Sequence, residues 1–275
     1  MRRFYFIMIV FLGLMTDVAA QTQSVRIFSH RGGRLEFDEN TMTAFKSSYD
    51  AGYRGFETDV RMSSDGELFL FHDNDMSRCT DAEGPLESMT SAQLRKVRTK
   101  AGNRLCTLDE FLSFLKNCGD EDLYVEFEIK TNTKLYSDET LEKLCDKLYS
   151  AVRNNQPKGA EYLFTSIDYR SLRYIQQKYK TDDLMLVTVK PCNDETIALC
   201  KAMGISRLGA KMPGTSRENV KKAHEAGLIV SLWPGLTVDD LVLGVWLGAD
   251  FLCTDRPVEY MEFVRSKLSW LNVKY

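Results

Sequence analysis

Short runs of β-branched and aromatic residues alternate along this chain with longer stretches whose apolar residues recur every three or four positions. From Val25 onward the first kind reads as strands and the second as amphipathic helices. Their regular alternation predicts a parallel α/β fold. Strands are expected at Val25–Ser29, on both sides of a turn at Ser63–Glu67 (the second arm being Leu68–Phe71), and at Leu123–Lys130, Tyr162–Ser166, Leu184–Val189, Ile205–Ala210, Leu228–Leu232 and Asp250–Cys253. A first helix is expected after an N-cap at Asn40, with Met42, Phe45 and Tyr49 on one face and Gly52 as its stop. Further helices are expected at Ser91–Val97, Leu108–Cys118, Ser137–Arg153, Tyr169–Tyr179, Glu195–Met203, Arg217–Ala226 and Val238–Leu247. Ser216 and Thr237 stand as caps before the last two, and Gly227 and Gly248 follow them.

That makes one strand too many for a (β/α)8 barrel. The surplus disappears if Leu68–Phe71 is the return arm of a hairpin above the barrel and not a wall strand. The expected architecture is therefore a (β/α)8 TIM barrel with a hairpin and helical excursion after the second strand. No linker, repeat or low-complexity run interrupts residues 25–275, so residues 21–275 are expected to form one domain. Residues 1–20 read differently. Arg2 and Arg3 precede an apolar run from Phe4 to Met15, and Val18-Ala19-Ala20 offers small residues before Gln21. This is the pattern of a secretory signal peptide, too short for a stable membrane span. An exported protein, periplasmic or extracellular, is expected.

Composition adds little beyond exclusions. With 44% hydrophobic and 27% charged residues the chain is ordinarily globular. Loss of residues 1–20 removes Arg2, Arg3 and Asp17, a net +1, and takes the formal charge from −3 to −4. Such a balance gives no bias towards nucleic acid, and no stable membrane insertion is expected. The seven cysteines (79, 106, 118, 145, 192, 200, 253) show no paired short spacing, which argues against a zinc site and against a small disulfide scaffold.

The candidate chemistry gathers at the expected carboxyl ends of the strands, where a barrel of this kind carries its site. Glu57 and Asp59 are two apart on one strand and leave the same face. Taken alone, they also fit an edge strand with solvated acids. Glu128 and Lys130 repeat the spacing, with Glu126 on the same face, and inward charges are unexpected on a parallel strand that should read continuously apolar. His30 and Arg31 end the first strand, the hairpin returns His72 and Asp73, and Trp233 ends the seventh barrel strand. Oxygen ligands suit a hard divalent cation, Mg²⁺ or Ca²⁺. Arg31 and Lys130 suit a phosphate, and two histidines allow one base and one acid. Together these residues fit metal-assisted attack on a phosphate ester.

Several motifs occur in one order: His-Arg-Gly (30–32), Glu-Asn-Thr (39–41) before Ala44-Phe45, Glu-x-Asp (57–59), Asp-Gly (65–66), His-Asp (72–73), Glu-Ile-Lys (128–130) and Thr-Asp-Arg-Pro (254–257). In this the chain resembles the glycerophosphodiester phosphodiesterase family over nearly all of residues 21–275. The resemblance implies a (β/α)8 barrel with a divalent cation on Glu57, Asp59 and Glu128, and His30 and His72 as the acid–base pair. It implies hydrolysis of a small glycerophosphodiester to an alcohol and glycerol 3-phosphate, by way of a cyclic phosphate. The chain departs from the family pattern at Asp38, where a proline is usual. It departs again at Ser166-Ile167, and at Trp233-Pro234-Gly235-Leu236, which keeps the ring and loses an asparagine. These changes fall on the pocket and leave the catalytic set whole.

Other residues carry plainer expectations. Glu39 is expected behind the ligands or in the substrate pocket, and Trp233 either in the core or stacked on substrate. His224 is expected to be structural. The basic run Arg95, Lys96, Arg98, Lys100, Arg104 is expected to be a solvated face, with a role in drawing in anionic substrates as the alternative. Rival functions are a phospholipase D-like or phosphatidylinositol-specific lyase acting on intact lipid, a secreted non-catalytic barrel that binds phosphodiesters, and a metal-dependent glycosidase.

Overall fold

The computed structural model describes residues 24–119, 122–131 and 135–275; the signal peptide expected at residues 1–20 lies outside them. Eight parallel strands close a barrel among the described residues: β1 (Ser24–His30), β2 (Gly55–Met62), β4 (Tyr124–Ile129), β5 (Glu161–Ser166), β6 (Leu184–Pro191), β7 (Arg207–Lys211), β8 (Ile229–Gly235) and β9 (Phe251–Thr254). Closure comes from β1, which pairs with β9 on one side and with β2 on the other. The expected surplus strand is β3 (Leu68–Leu70), which runs antiparallel to β2 through Val60–Leu70, Arg61–Phe69 and Met62–Leu68. The hairpin and the eight-strand count therefore agree with the structure.

Helices α1 (Met42–Ala51), α2 (Ser91–Leu94), α3 (Leu108–Cys118), α4 (Asp138–Asn155), α5 (Tyr169–Tyr179), α6 (Asp194–Met203), α7 (Arg217–Glu225) and α8 (Val238–Leu247) occupy the connections between strands. Their starts follow from capping chemistry. Thr107 with Glu110, Asn193 with Thr196 and Thr237 with Asp240 each form a reciprocal capping box. The α1 cap differs from expectation by one residue. Thr41 is the N-cap, its hydroxyl accepting from Ala44 N–H, because Asn40 sits in the left-handed region (φ 55°) and turns its amide towards β2. Two C-terminal elements were not anticipated. Helix α9 (Pro257–Lys267) starts on a proline at its first turn and buries Tyr260, Met261 and Val264, while β10 (Asn272–Lys274) pairs in parallel with the start of β1.

Two apolar cores divide the barrel. The larger lies between wall and helices, where Phe56, Val60, Val125, Phe127 and Ile129 point outwards from β2 and β4. The smaller plugs the interior with Phe28, Tyr124, Leu163 and Cys253, against which Phe251 and Trp233 pack. By the period of two along a strand, Glu57 and Asp59 on β2 and Glu126 and Glu128 on β4 are left facing inwards above that plug. The excursion after β3 has a core of its own, built from Phe69, Phe71, Met76, Leu86, Leu94, Val97 and Leu105. Within it the basic run is tied to local acceptors, Arg95 pairing with Glu67 and Arg104 with Glu110. None of its five residues lines the cavities described below. His224, near the end of α7, places its Nε2 2.9 Å from Asp250 Oδ2 on the outer surface.

Candidate active site

The chain leaves β1 through three successive residues with positive φ, Arg31 (53°), Gly32 (78°) and Gly33 (97°). Gly32 is required there, since a Cβ would come within 2.7 Å of the Ala44 Cβ. Arg31 takes the left-handed conformation without that freedom and is held in it by its surroundings. Its N–H donates to the backbone carbonyl of Glu57 at 3.0 Å and to Glu57 Oε2 at 3.1 Å. This turn carries the guanidinium inwards, to Glu39 Oε1 (3.1 Å) and Asp59 Oδ2 (3.2 Å).

Register brings the carboxylates together. Glu57 pairs with Glu126 and Asp59 with Glu128 across β2 and β4, so the four alternate on neighbouring interior positions. Glu57, Asp59 and Glu128 each offer an oxygen within 4.8 Å of the others, and all three are buried. Lys130 Nζ lies 2.8 Å from Glu128 Oε1 and 3.3 Å from Asp59 Oδ1. Glu57 Oε1 is buried without a hydrogen-bond partner, and Asp59 Oδ1 has no hydrogen bond beyond its ion pair with Lys130. Buried orphan carboxylate oxygens are costly, and the three together present the all-oxygen set that a hard divalent cation takes. The triad can therefore hold a metal ion.

The electrostatics carry the same signature. Burial, reinforced by the Asp59 and Glu128 charges, pushes Glu57 well above the ordinary carboxylate range despite Arg31 and Lys130. Burial acts on Asp59 too, but Arg31, Lys130 and the two histidines outweigh it and hold its carboxyl far down. Asn40 secures Asp59 in place, donating to Oδ2 at 2.7 Å while its carbonyl accepts from Thr58 Oγ1 at 2.9 Å. Burial pushes Glu126 up to about 8 in spite of the hydrogen bond it accepts from the Tyr124 hydroxyl at 2.5 Å.

Each histidine is held by an aspartate. His30 Nδ1 lies 2.5 Å from Asp255 Oδ1, whose other oxygen meets Arg34 Nη2 at 2.7 Å. That leaves His30 Nε2 facing the carboxylates, 3.7 Å from Glu57 Oε2. Burial, then the Arg31 charge, lowers the His30 pKa, which favours the neutral imidazole. His72 Nδ1 lies 2.6 Å from Asp73 Oδ1. The Asp73 hydrogen bond by itself raises the His72 pKa. Burial dominates, however, helped by Lys130 and Arg31 against Asp59 and Asp73, and the His72 pKa also falls. The buried Arg61 fixes the backbone here, donating to the His72 carbonyl (2.7 Å from Nη2) and to Asn74 Oδ1 (2.9 Å).

Two cavities meet at this cluster. The inner one, about 410 Å³, is lined by His30, His72, the carboxylates Glu57, Glu126 and Glu128, and Trp233 among others. The outer one, about 880 Å³ and open, runs past His72, Glu128 and Lys130 to Arg78, Ile167 and Arg170. Of the residues singled out in the sequence, His30, His72, Arg31, Lys130, Glu57, Glu128 and Trp233 line the inner cavity, with Asp59 directly behind them. Glu39 lines neither cavity, because Arg31 and Arg78 take up its two oxygens. Sequence reasoning assigned no role to Asp255, Arg78, Arg34 or Arg61. Asp255 lay in plain view within Thr-Asp-Arg-Pro; Arg34 and Arg78 had little signal, since Asp255 lies 221 residues from Arg34 and Glu39 lies 39 from Arg78.

A model of the glycerophosphoryl diester phosphodiesterase family matches residues 30–259. A glycerophosphodiester phosphodiesterase of Caldanaerobacter subterraneus subsp. tengcongensis is 30% identical over 247 residues, 87% of this chain and 97% of its own length. Among solved structures, a phosphodiesterase of Oleispira antarctica in complex with the product sn-glycerol-3-phosphate shares the fold. Its TM-score is 0.79 at 20% identity, over 89% of this chain and 100% of that one. A glycerophosphoryl diester phosphodiesterase structure from Silicibacter pomeroyi gives 0.79 at 21% identity, over 88% and 94%.

Proposed function

Because the chain belongs to the glycerophosphoryl diester phosphodiesterase family, we infer that it is an enzyme that hydrolyses a glycerophosphodiester to an alcohol and glycerol 3-phosphate. The observation that carries this reading is the convergence of a cation-binding acid triad, two phosphate-suited cations and two aspartate-held histidines on one cavity. Glu57, Asp59 and Glu128 would hold a Mg²⁺ or Ca²⁺ ion, which would supply Lewis acidity to the phosphoryl group. Arg31 and Lys130 offset the charge that grows on the phosphoryl group. His30 donates Nδ1–H to Asp255, which leaves the Nε2 lone pair to take the proton of the glycerol 2-hydroxyl. As the bond from that oxygen to phosphorus forms, the bond to the departing alcohol breaks, and the alcohol oxygen takes a proton from His72. Water then opens the cyclic phosphate to glycerol 3-phosphate with the proton transfers reversed.

Cavity placement supports the division of labour. His30 lines only the inner cavity, which suits the glycerol, whereas His72 lines both and faces the open cleft into which an alcohol departs. A neutral resting His72 is compatible with the acid's role, since an anionic phosphodiester beside it favours the imidazolium. The test is hydrolysis of a glycerophosphodiester headgroup panel with and without chelator; release of glycerol 3-phosphate that chelator stops is expected. No turnover of any diester with Mg²⁺ or Ca²⁺ present would leave a non-catalytic barrel. Action on intact or lysolipids is the second reading, supported by exposed Ile167, Tyr169 and Val189 beside the mouth. Turnover of lysophospholipid in preference to the deacylated diesters would establish it. No helix among the described residues is long and apolar enough to cross a membrane.

Asp255 acts as a positioning residue in this scheme, fixing the His30 tautomer. Asp255→Asn is expected to lower kcat by about 10²-fold or more with little change in KM, because an amide favours the wrong tautomer without emptying the cavity. A purely structural Asp255 would instead lower the melting temperature and leave kcat of the folded fraction near that of the parent. Export is also proposed, on the apolar Phe4–Met15 leader, and a secreted product beginning near Gln21 in mass spectrometry is the expected outcome.

A further inference from the structure

One inward carboxyl has no part in the chemistry above. Glu126 lies one interior position below Glu128 on β4, directly over the apolar plug of Phe28, Tyr124, Leu163 and Cys253. It is 4% exposed, yet its carboxyl lines the inner cavity. Tyr124 donates to one of its oxygens at 2.5 Å. Two polar atoms in the same cavity are buried without partners, the Thr165 hydroxyl and the Trp233 indole N–H. Thr165 stands beside Glu128 in the register of β4 and β5, so it faces the same space one level higher. An inner cavity with apolar walls of Met185, Val187 and Val189, the Glu126 carboxyl and two unsatisfied polar atoms is built to receive a group that is apolar along its sides and carries hydroxyls.

We propose that Glu126 is a specificity-determining residue which binds the terminal hydroxyl of the glycerol end of the substrate, with Thr165 and Trp233 completing the polar lining. This rests on the phosphodiesterase reading and adds to it which part of the substrate is read, and by what. The position explains why a carboxyl is tolerated over an apolar floor: a buried polar group left unmade is costly, and a substrate hydroxyl satisfies it. It also separates recognition from chemistry, since the terminal hydroxyl takes no part in bond making or breaking.

The experiment compares glycerophosphocholine with the phosphocholine diester of propane-1,2-diol, which keeps the attacking hydroxyl and lacks the terminal one. The parent enzyme is expected to prefer the glycerol substrate by at least about tenfold in kcat/KM. Glu126→Leu is expected to lose about 10- to 100-fold on the glycerol substrate and severalfold at most on the propanediol substrate, erasing the preference. Glu126→Gln, which keeps a donor and an acceptor in the same shape, is expected to retain most of it. Equal losses on both substrates in Glu126→Leu, with the circular dichroism spectrum unchanged, would overturn the proposal, as would absence of any preference in the parent. Calorimetric binding of glycerol 3-phosphate and of propane-1,2-diol 1-phosphate, with Mg²⁺ present, decides the point without turnover. Equal affinities in the parent refute the role of Glu126, whereas failure to hydrolyse any diester refutes the phosphodiesterase reading alone.

Discussion

Glu57→Gln is expected to lower kcat/KM by about 10³-fold or more while the barrel keeps its circular dichroism spectrum. The amide preserves the shape of the side chain and removes a charged oxygen from a triad whose members lie within 4.8 Å of one another. Stability should respond in the opposite sense to activity. Burial raises the Glu57 pKa well above its ordinary 4.5, so the metal-free native state holds this proton more tightly than the unfolded chain does. The sign follows from linkage: this contribution to stability is full below pH 4.5 and is lost as the pH rises above it. Asp59 works on the other side, its depressed carboxyl contributing stability that is lost only as the pH falls below its ordinary 3.8. Above pH 4.5 the slope that distinguishes parent from variant is therefore that of Glu57. Metal-free Glu57→Gln should melt at or above the metal-free parent and show a flatter decline with pH. Added Mg²⁺ or Ca²⁺ should raise the melting temperature of the parent, more so at higher pH where proton competition is weaker, and should leave the variant nearly unmoved. Calorimetric melts with chelator and with each ion measure all of this. A parent that turns over fully after metal stripping, or a variant that binds the ion like the parent, would remove the triad from the mechanism.

How much of this site was legible along the chain depends on where each signal lives. The carboxylates were readable because a strand has a period of two and buried parallel strands normally carry no inward charge; Glu57, Asp59 and Glu128 broke that rule together. The return of His72 to the mouth was readable from turn chemistry at Ser63–Glu67, whose Ser63 N–H does donate to the Glu67 carbonyl at 2.8 Å. Asn40 was misread for a physical reason. Asparagine is a good N-cap, and the same short amide that suits a cap also tolerates positive φ, so nothing local separates a cap from a residue turned to hold Asp59. Asp255 sits 225 residues from His30 and Arg78 sits 39 from Glu39, so their partnerships exist only once β9 lies beside β1 and the excursion folds back. The charge balance on His72 was beyond reach for a related reason. Its sequence neighbour Asp73 is only one of several influences, and burial, which has no local sequence signal, outweighs it.

The two histidines should separate by leaving group. With His30 as the base towards the glycerol hydroxyl and His72 as the acid towards the departing alcohol, either alanine variant is expected to lose about 10²–10⁴-fold on an alkyl headgroup such as choline. A p-nitrophenyl leaving group needs almost no protonation as it departs. On the glycerophospho-p-nitrophenyl ester His72→Ala should therefore recover much of its rate, and His30→Ala should not, because the attacking hydroxyl still has to give up its proton. Placement is the motive: His72 lines the open cleft as well as the inner cavity, and His30 lines the inner cavity alone. The aspartates sharpen the comparison. Asp73 is shared between His72 and Arg78, whereas Asp255 is shared between His30 and Arg34, so each imidazole is held at Nδ1 and works through Nε2. Asp73→Asn should therefore follow the leaving-group pattern of His72→Ala at smaller amplitude, and Asp255→Asn that of His30→Ala. The measurement is a four-variant, two-substrate matrix of kcat/KM values, with melting curves to confirm folding. Equal losses on both esters for all four variants would show that the histidines position substrate without transferring protons. The reverse pattern, with recovery in His30→Ala, would exchange the two roles and place the departing alcohol in the inner cavity.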